Sequence, residues 1–250
     1  MALLLPPVSP VEPIDPSGPG LPGRAVMTQR WADLAWLHWP VAPEVVAPLL
    51  PTGVRPDVLD GVTWVGLVPF HMQRIALAGT PPLPWVGTFP ETNVRLYSVG
   101  PDGRRGVVFR SLDAARGLPV AVARVGYRLP YHWARMRIER RGADLTYRAR
   151  RRDGTSSLVR VRVGDRVTPT ALDHFLSARW GLHTPWRGGT AFAPVAHGPW
   201  PVHQAELLEL DDDLVVAAGL PRPVGPPLVR WSPGVDVAVG WPRRLPRTWV

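Results

Sequence analysis

Lysine and cysteine are both absent from this chain of 250 residues, and that narrows its chemistry at once. All 29 basic residues are arginine, which stays protonated and offers no amine nucleophile, so no lysine side chain can form an imine. Without cysteine there is no disulfide framework, thiolate or cysteine metal site. The seven histidines (38, 71, 132, 174, 183, 197 and 203) form no HxH or HxxxH pair. His197 and His203 stand six apart across a Gly-Pro turn, which is not a zinc spacing, so no metal and no cofactor are expected. Neither a phosphate-cradling glycine loop nor a GxSxG nucleophile turn occurs. Ser111 beside Asp113 reads as strand chemistry rather than part of a triad.

What remains are hydroxyls, imidazoles, carboxylates and arginines. Tyr131 and His132 sit in LPYHWARM (129–136), where Pro130 forces a corner between an apolar run and a strand-like alternation. His132 suits an acid/base role, and Tyr131 suits a hydrogen-bond donor to a developing oxyanion. Glu91, Asn93 and Arg95 precede or line one strand with Tyr97, Asp113 closes the partner strand, and Arg124 follows on an expected helix. Arg95 or Arg124 could pair a ligand carboxylate. Alternation alone leaves open whether Arg95 faces a cavity or solvent, because Val94 and Leu96 fall on the opposite face.

Positioning these groups requires a sheet. Residues 1–25 are rich in proline and glycine and read as a disordered or extended tail, with one domain over 26–250. A strand begins in WADLAWLHWP (31–40), a short helix follows in 43–53, and VTWVGLVPF (62–70) is a buried strand. Residues 92–113 read as a hairpin turning at PDGRRG, and 114–128 as a helix. WARMRIE, DLTYRARR and SLVRVRV form a three-strand meander. A helix over 168–180 takes Thr168 or Thr170 as its cap. WPVHQAELLEL (200–210) is a further strand, followed by an acidic turn and a proline-rich tail. The class is α+β, with a mainly antiparallel barrel-like sheet and a few flanking helices.

The net charge of +9 is concentrated. Residues 135–166 hold eleven arginines against four acids, a local +7, and alternation puts the arginines on one face of the meander. Such a face could meet polyanions, but only Trp133 and Tyr147 are interleaved with it, so nucleic acid ranks last among partners and any such binding is expected to be weak. The apolar start MALLLPPVSP breaks at Pro6 without a basic region, so neither signal peptide nor membrane span is read there. The expectation is a cytoplasmic protein away from membranes, compatible with a homo-oligomer, whose partner is a small-molecule ligand.

The blocks PEVVAPLLPTGVRPDVLDGVTWVGLVPF, FPETNVRLYS, GVVFRSLDA, ARVGYRLPYHWARM, FLSARWGLH, PWPVHQAEL and SPGVDVAV, in this order, resemble the YqjF-like family of conserved bacterial proteins. That family is similar, distantly, to acetoacetate decarboxylase. The resemblance implies an antiparallel cone-shaped β-barrel around an enclosed pocket. The decarboxylase pattern has an Arg-Glu pair, a glycine-aromatic step and then Pro-Lys-Lys, one lysine forming the Schiff base. Here Arg124-Val125-Gly126-Tyr127 and Pro130-Tyr131-His132 fall in that order, and Glu91-Thr92-Asn93 matches the acidic strand. Tyr131 and His132 therefore stand at the lysine positions. The resemblance implies a pocket protein that binds or modifies a small anionic or carbonyl-bearing molecule without Schiff-base chemistry; a non-catalytic binding or sensing module is the alternative.

Overall fold

The computed structural model describes residues 9–84, 87–115 and 129–246. Thirteen strands make one sheet. They are β1 (Met27–Val41), β2 (Arg55–Pro56), β3 (Thr63–Leu77), β4 (Phe89–Val99), β5 (Arg105–Ala114), β6 (Tyr131–Arg141) and β7 (Asp144–Arg151). There follow β8 (Ser156–Arg166), β9 (Gly181–Trp186), β10 (Gly189–His197), β11 (His203–Asp212), β12 (Leu228–Val239) and β13 (Arg243–Arg244). Short helices α1 (Pro43–Val46), α2 (Ala171–Ser177) and α3 (Leu214–Ala217) lie between them.

Nine strands close on themselves in the order β1, β3, β4, β5, β6, β7, β8, β11, β12 and back to β1. All neighbours in this barrel are antiparallel except β5 and β6. β9 and β10 form a second bridge from β5 to β12, so five strands (β12, β1, β3, β4, β5) belong to two closed rings. Closure by both routes leaves only the two-residue strands β2 and β13 at the sheet's edges among the described residues.

Sharing strands between two rings explains the residue pattern. Ala35, Leu37, Val65, Leu67, Val94 and Leu96 point into the core of the nine-strand barrel with Leu145, Val159 and Val161. The alternate residues Leu34, Trp36, Val68, Phe70 and Met72 point the other way and pack with Leu112, Tyr131, Val195 and Trp200. β4 is accordingly buried on both faces from Glu91 to Val99.

The hairpin over 92–113 is β4–β5, and the meander is β6–β8. The expected 114–128 helix falls on residues outside the described ones, apart from Ala114, which still belongs to β5, and Ala115. Residues 9–25, read as a disordered or extended tail, carry no helix or strand where described. They lie along the barrel, with Glu12 N–H donating to Gly103 O (3.0 Å) and Trp180 Nε1 to Asp15 O (2.9 Å).

The proline-rich tail expected after the acidic turn is corrected, because it contains α3 and the twelve-residue β12. Pro233 interrupts neither. β12 pairs outward with β11 only at Arg230–Trp231 and with β10 only at Val237–Val239, so the missing proline N–H falls between its two partners. On the β1 side, Gly234 backs directly onto Trp31, where a Cβ would come within 1.9 Å of the carbonyl oxygen. Strands β9 and β10, over 181–197, have no counterpart in the sequence reading.

Candidate functional site

A cavity of about 310 Å³ lies on the second face of the shared strands. Its wall is mostly apolar, with Trp31, Trp36, Phe70, Met72, Phe109 and Trp200 among the larger contributors. Against this wall stand a few polar groups: Gln29, Glu91, Asn93, Arg95, Tyr131, Ser177, Arg179 and His197. The proportions are those of a small-molecule site, apolar with a few placed polar groups.

β4 supplies three of these groups at intervals of two residues, Glu91, Asn93 and Arg95, and Tyr97 continues the line in full burial. Arg95 Nε donates to Tyr97 Oη (3.1 Å) and Nη2 to Leu176 O (3.2 Å). Among the described residues Nη1 has no hydrogen-bond partner and Arg95 meets no carboxylate, although only 9% of the residue is exposed. Tyr97 Oη donates to Leu176 O (3.1 Å) and lies 2.6 Å from His38 Nε2. Burial, then the nearby Arg95 and Arg179, hold His38 well below the usual histidine range, so it is neutral. Only glycine fits beside this cluster at 66, where a Cβ would sit 2.8 Å from His38 Nε2 and 3.3 Å from Arg95 Cγ.

Arg179 is the second guanidinium in the wall and is compensated differently. Asp57 accepts hydrogen bonds from both Arg179 and Arg105, the latter at 2.5 and 2.6 Å. The Arg179 guanidinium also lies over the rings of Tyr97 and Phe175, 4.8 and 4.4 Å from their centroids. His197 is lowered from the usual histidine range, mainly by burial.

Glu91 is the buried acid of the cavity. Burial first, and the neighbouring Asp113 to a lesser degree, raise its pKa to about 8 against the hydrogen bond from Tyr131 Oη at 3.3 Å. It therefore carries a proton at neutral pH. Tyr131 is raised well above the usual phenol value by burial and by Glu91. Asp113 itself is spent on a bidentate pair with Arg151 (2.6 and 2.8 Å).

The structure thus brings together Glu91, Asn93, Arg95 and Tyr131. His132, the neighbour of Tyr131, points to the opposite face of β6, is exposed and does not line the cavity. Arg124 lies outside the described residues. Sequence reading misses Arg179, Asp57, His38 and His197. Arg179 and His38 carry one usable signal, an ionisable residue inside an otherwise apolar strand or helix-end segment.

Helix α2 matters here because Leu176 supplies the carbonyl that receives both Arg95 and Tyr97. Its start is fixed by a capping box, with Asp173 N–H donating to Thr170 Oγ1 and Thr170 N–H to the Asp173 carboxylate. Thr170→Ala is expected to cost about 1 kcal/mol of stability in urea denaturation. Retained stability would mean that Asp173 alone holds the turn.

The arginine face of the meander is exposed, as alternation predicts. Glu206 and Glu209 of β11 approach Arg162 and Arg160 at 3.8 Å and offset part of it. Among the described residues no group of three or more metal-ligating side chains occurs, and no helix is long and apolar enough to cross a membrane.

Comparison with known proteins places this geometry. "Uncharacterized protein YqjF" of Bacillus subtilis (strain 168) is 30% identical over 224 residues, covering 88% of this chain and 92% of that protein. Among solved structures, an acetoacetate decarboxylase-like enzyme from Sphingomonas wittichii RW1 aligns with a TM-score of 0.63 at 13% identity, over 90% of this chain and 95% of its own. The enduracididine biosynthesis enzyme MppR, complexed with pyruvate, aligns at 0.64 and 14% identity over 96% and 98%. At such identities these likenesses establish the fold, an acetoacetate decarboxylase-like barrel. The family described as "Uncharacterized conserved protein", DUF2071, matches residues 28–236, and this chain belongs to it.

Proposed function

We propose that the cavity binds a small organic molecule bearing a carboxylate or carbonyl, with its anionic end on Arg95. The observation that carries this reading is the Arg95 guanidinium, buried in an apolar wall with Nη1 free of partners among the described residues and no carboxylate beside it. A buried cation without a counter-charge costs several kcal/mol, and an anionic ligand recovers part of that. Arg179, already offset by Asp57, adds no comparable demand. The MppR neighbour, described as complexed with pyruvate, shares the fold and supports the same class of molecule.

A proton-transfer step on the bound molecule is a second reading, favoured by Glu91. A carboxylic acid with a pKa of about 8 holds a proton at neutral pH and can lend it to a carbonyl oxygen, with Tyr131 as the adjacent donor. Glu91 rather than His132 then takes the acid/base role, because His132 lies outside the cavity. No lysine is available for an imine.

Titration calorimetry with pyruvate, acetoacetate and butyrate tests the binding reading. Arg95→Met should weaken binding by about 1.5–3 kcal/mol, the range for a hydrogen bond to a charged group, while folding is kept. Equal affinities for the two proteins would overturn it. Borohydride treatment with acetoacetate should leave the intact mass unchanged. A stable adduct on any residue from 27 to 250 would contradict the lysine-free account.

A further inference from the structure

The cavity lining has an order along its strands. In the β3–β4 register, Arg95 lies opposite Gly66, Asn93 opposite Val68, Glu91 opposite Phe70 and Phe89 opposite Met72. The lining then continues along β3 through Ile75 to Leu77. At about 3.3 Å per residue, Arg95 and Phe89 are separated by roughly 20 Å of strand, and Leu77 lies farther still. A cavity of about 310 Å³ drawn out over such a length is a slot.

The two ends of that slot differ. At one end Arg95 and Arg179 sit in deep burial, with the single carboxylate of Asp57 behind Arg179. The other end is apolar and reaches the surface, because Leu77 and Leu83, 50% and 37% exposed, are the exposed members of the lining. Between them Glu91 presents an acid that burial keeps protonated, so the middle of the slot carries no charge that would repel an anion passing it.

We propose that the ligand is an unbranched monocarboxylate of medium chain length, bound head-first with its carboxylate on Arg95 and its chain running along β4 past Asn93 towards Glu91 and Phe70. This rests on the anion-binding reading above and names the ligand class within it. At about 30 Å³ per water-sized group, the cavity holds roughly ten non-hydrogen atoms, the size of an eight-carbon carboxylate. A two- to four-carbon acid leaves most of the apolar wall in contact with water. A dicarboxylate of the same length brings a second charge against the apolar wall.

A chain-length series at pH 7 tests the proposal: acetate, butyrate, hexanoate, octanoate and decanoate, with octanedioate as the doubly charged control. Affinity is expected to rise about fourfold for each added methylene up to octanoate, the gain for burying one CH₂, and to level off once the chain fills the cavity volume. Arg95→Met should weaken every member, by a similar factor. Leu77→Asp and Leu83→Asp, at exposed positions beyond the reach of an eight-carbon chain held on Arg95, should leave octanoate affinity unchanged, and a loss of about tenfold there would contradict the head-first placement. Octanedioate should bind at least tenfold more weakly than octanoate. If short acids bind through Arg95 with no gain per methylene, the chain-length inference falls and the anion site stands. If no carboxylate binds at all, the anion site falls with it.

Discussion

Glu91→Gln should make this protein more stable at neutral and alkaline pH, although it alters the most conspicuous acid of the cavity. The folded state holds Glu91 at about 8, whereas its ordinary value is 4.5. A raised carboxyl costs the folded state nothing while both states are protonated. As pH climbs above 4.5 the unfolded chain ionises and the buried group does not, so stability falls until pH passes about 8 and then levels off. At about 1.4 kcal/mol per pH unit, the deficit reaches about 3 kcal/mol at pH 7, an upper bound on what a neutral isostere restores. The substituted amide keeps an oxygen for the Tyr131 hydroxyl and cannot ionise. Urea denaturation at pH 5, 7 and 8.5 should show the variant's advantage growing with pH. An advantage independent of pH, or a more stable wild type at pH 8.5, would contradict the assignment of Glu91 as a buried neutral acid.

The opposite sign is expected for Asp57→Asn. This carboxylate, 2% exposed, receives Arg105 and Arg179 together, and Arg179 is itself buried against the rings of Tyr97 and Phe175. Removing one partner of a buried ion pair leaves an uncompensated charge and costs about 3–5 kcal/mol. Asp57 serves two arginines, so the upper end of that range is expected. Adding Arg179→Met to Asp57→Asn should recover part of the loss, because methionine packs against aromatic rings without charge. Urea denaturation of the single and double variants measures this. No recovery in the double variant would place the cost with Arg105 instead.

These effects come from a part of the molecule that the sequence reveals only halfway. Glu91, Asn93 and Arg95 are legible because period-two spacing puts them on one face of one strand. Their direction is not. Alternation poses the choice as core or solvent, with Val94 and Leu96 claiming the core, but β4 belongs to two rings and buries both faces. Alternation distinguishes the faces of such a strand without saying that either meets water.

The corner at Pro130 places Tyr131 but not His132, because consecutive residues on a strand point to opposite faces and only one can line the cavity. Asp57, Arg179 and His38 join Arg95 from three distant segments, and no local pattern connects them. β12 escapes notice for a different reason. Pro233 and Gly234 punctuate it like a loop, yet they fall where β12 passes from one partner to the next and needs no outward ladder bond.

The central claim, that Arg95 is the anion-binding end of the cavity, is tested most directly by a crystal structure determined with saturating octanoate. The account predicts electron density for the carboxylate against Arg95 Nη1, with the chain lying along β4 and its end over Glu91 and Phe70. Density for octanoate on the exposed arginine face of β6 and β7, or in the cavity with its carboxylate away from Arg95, would contradict it.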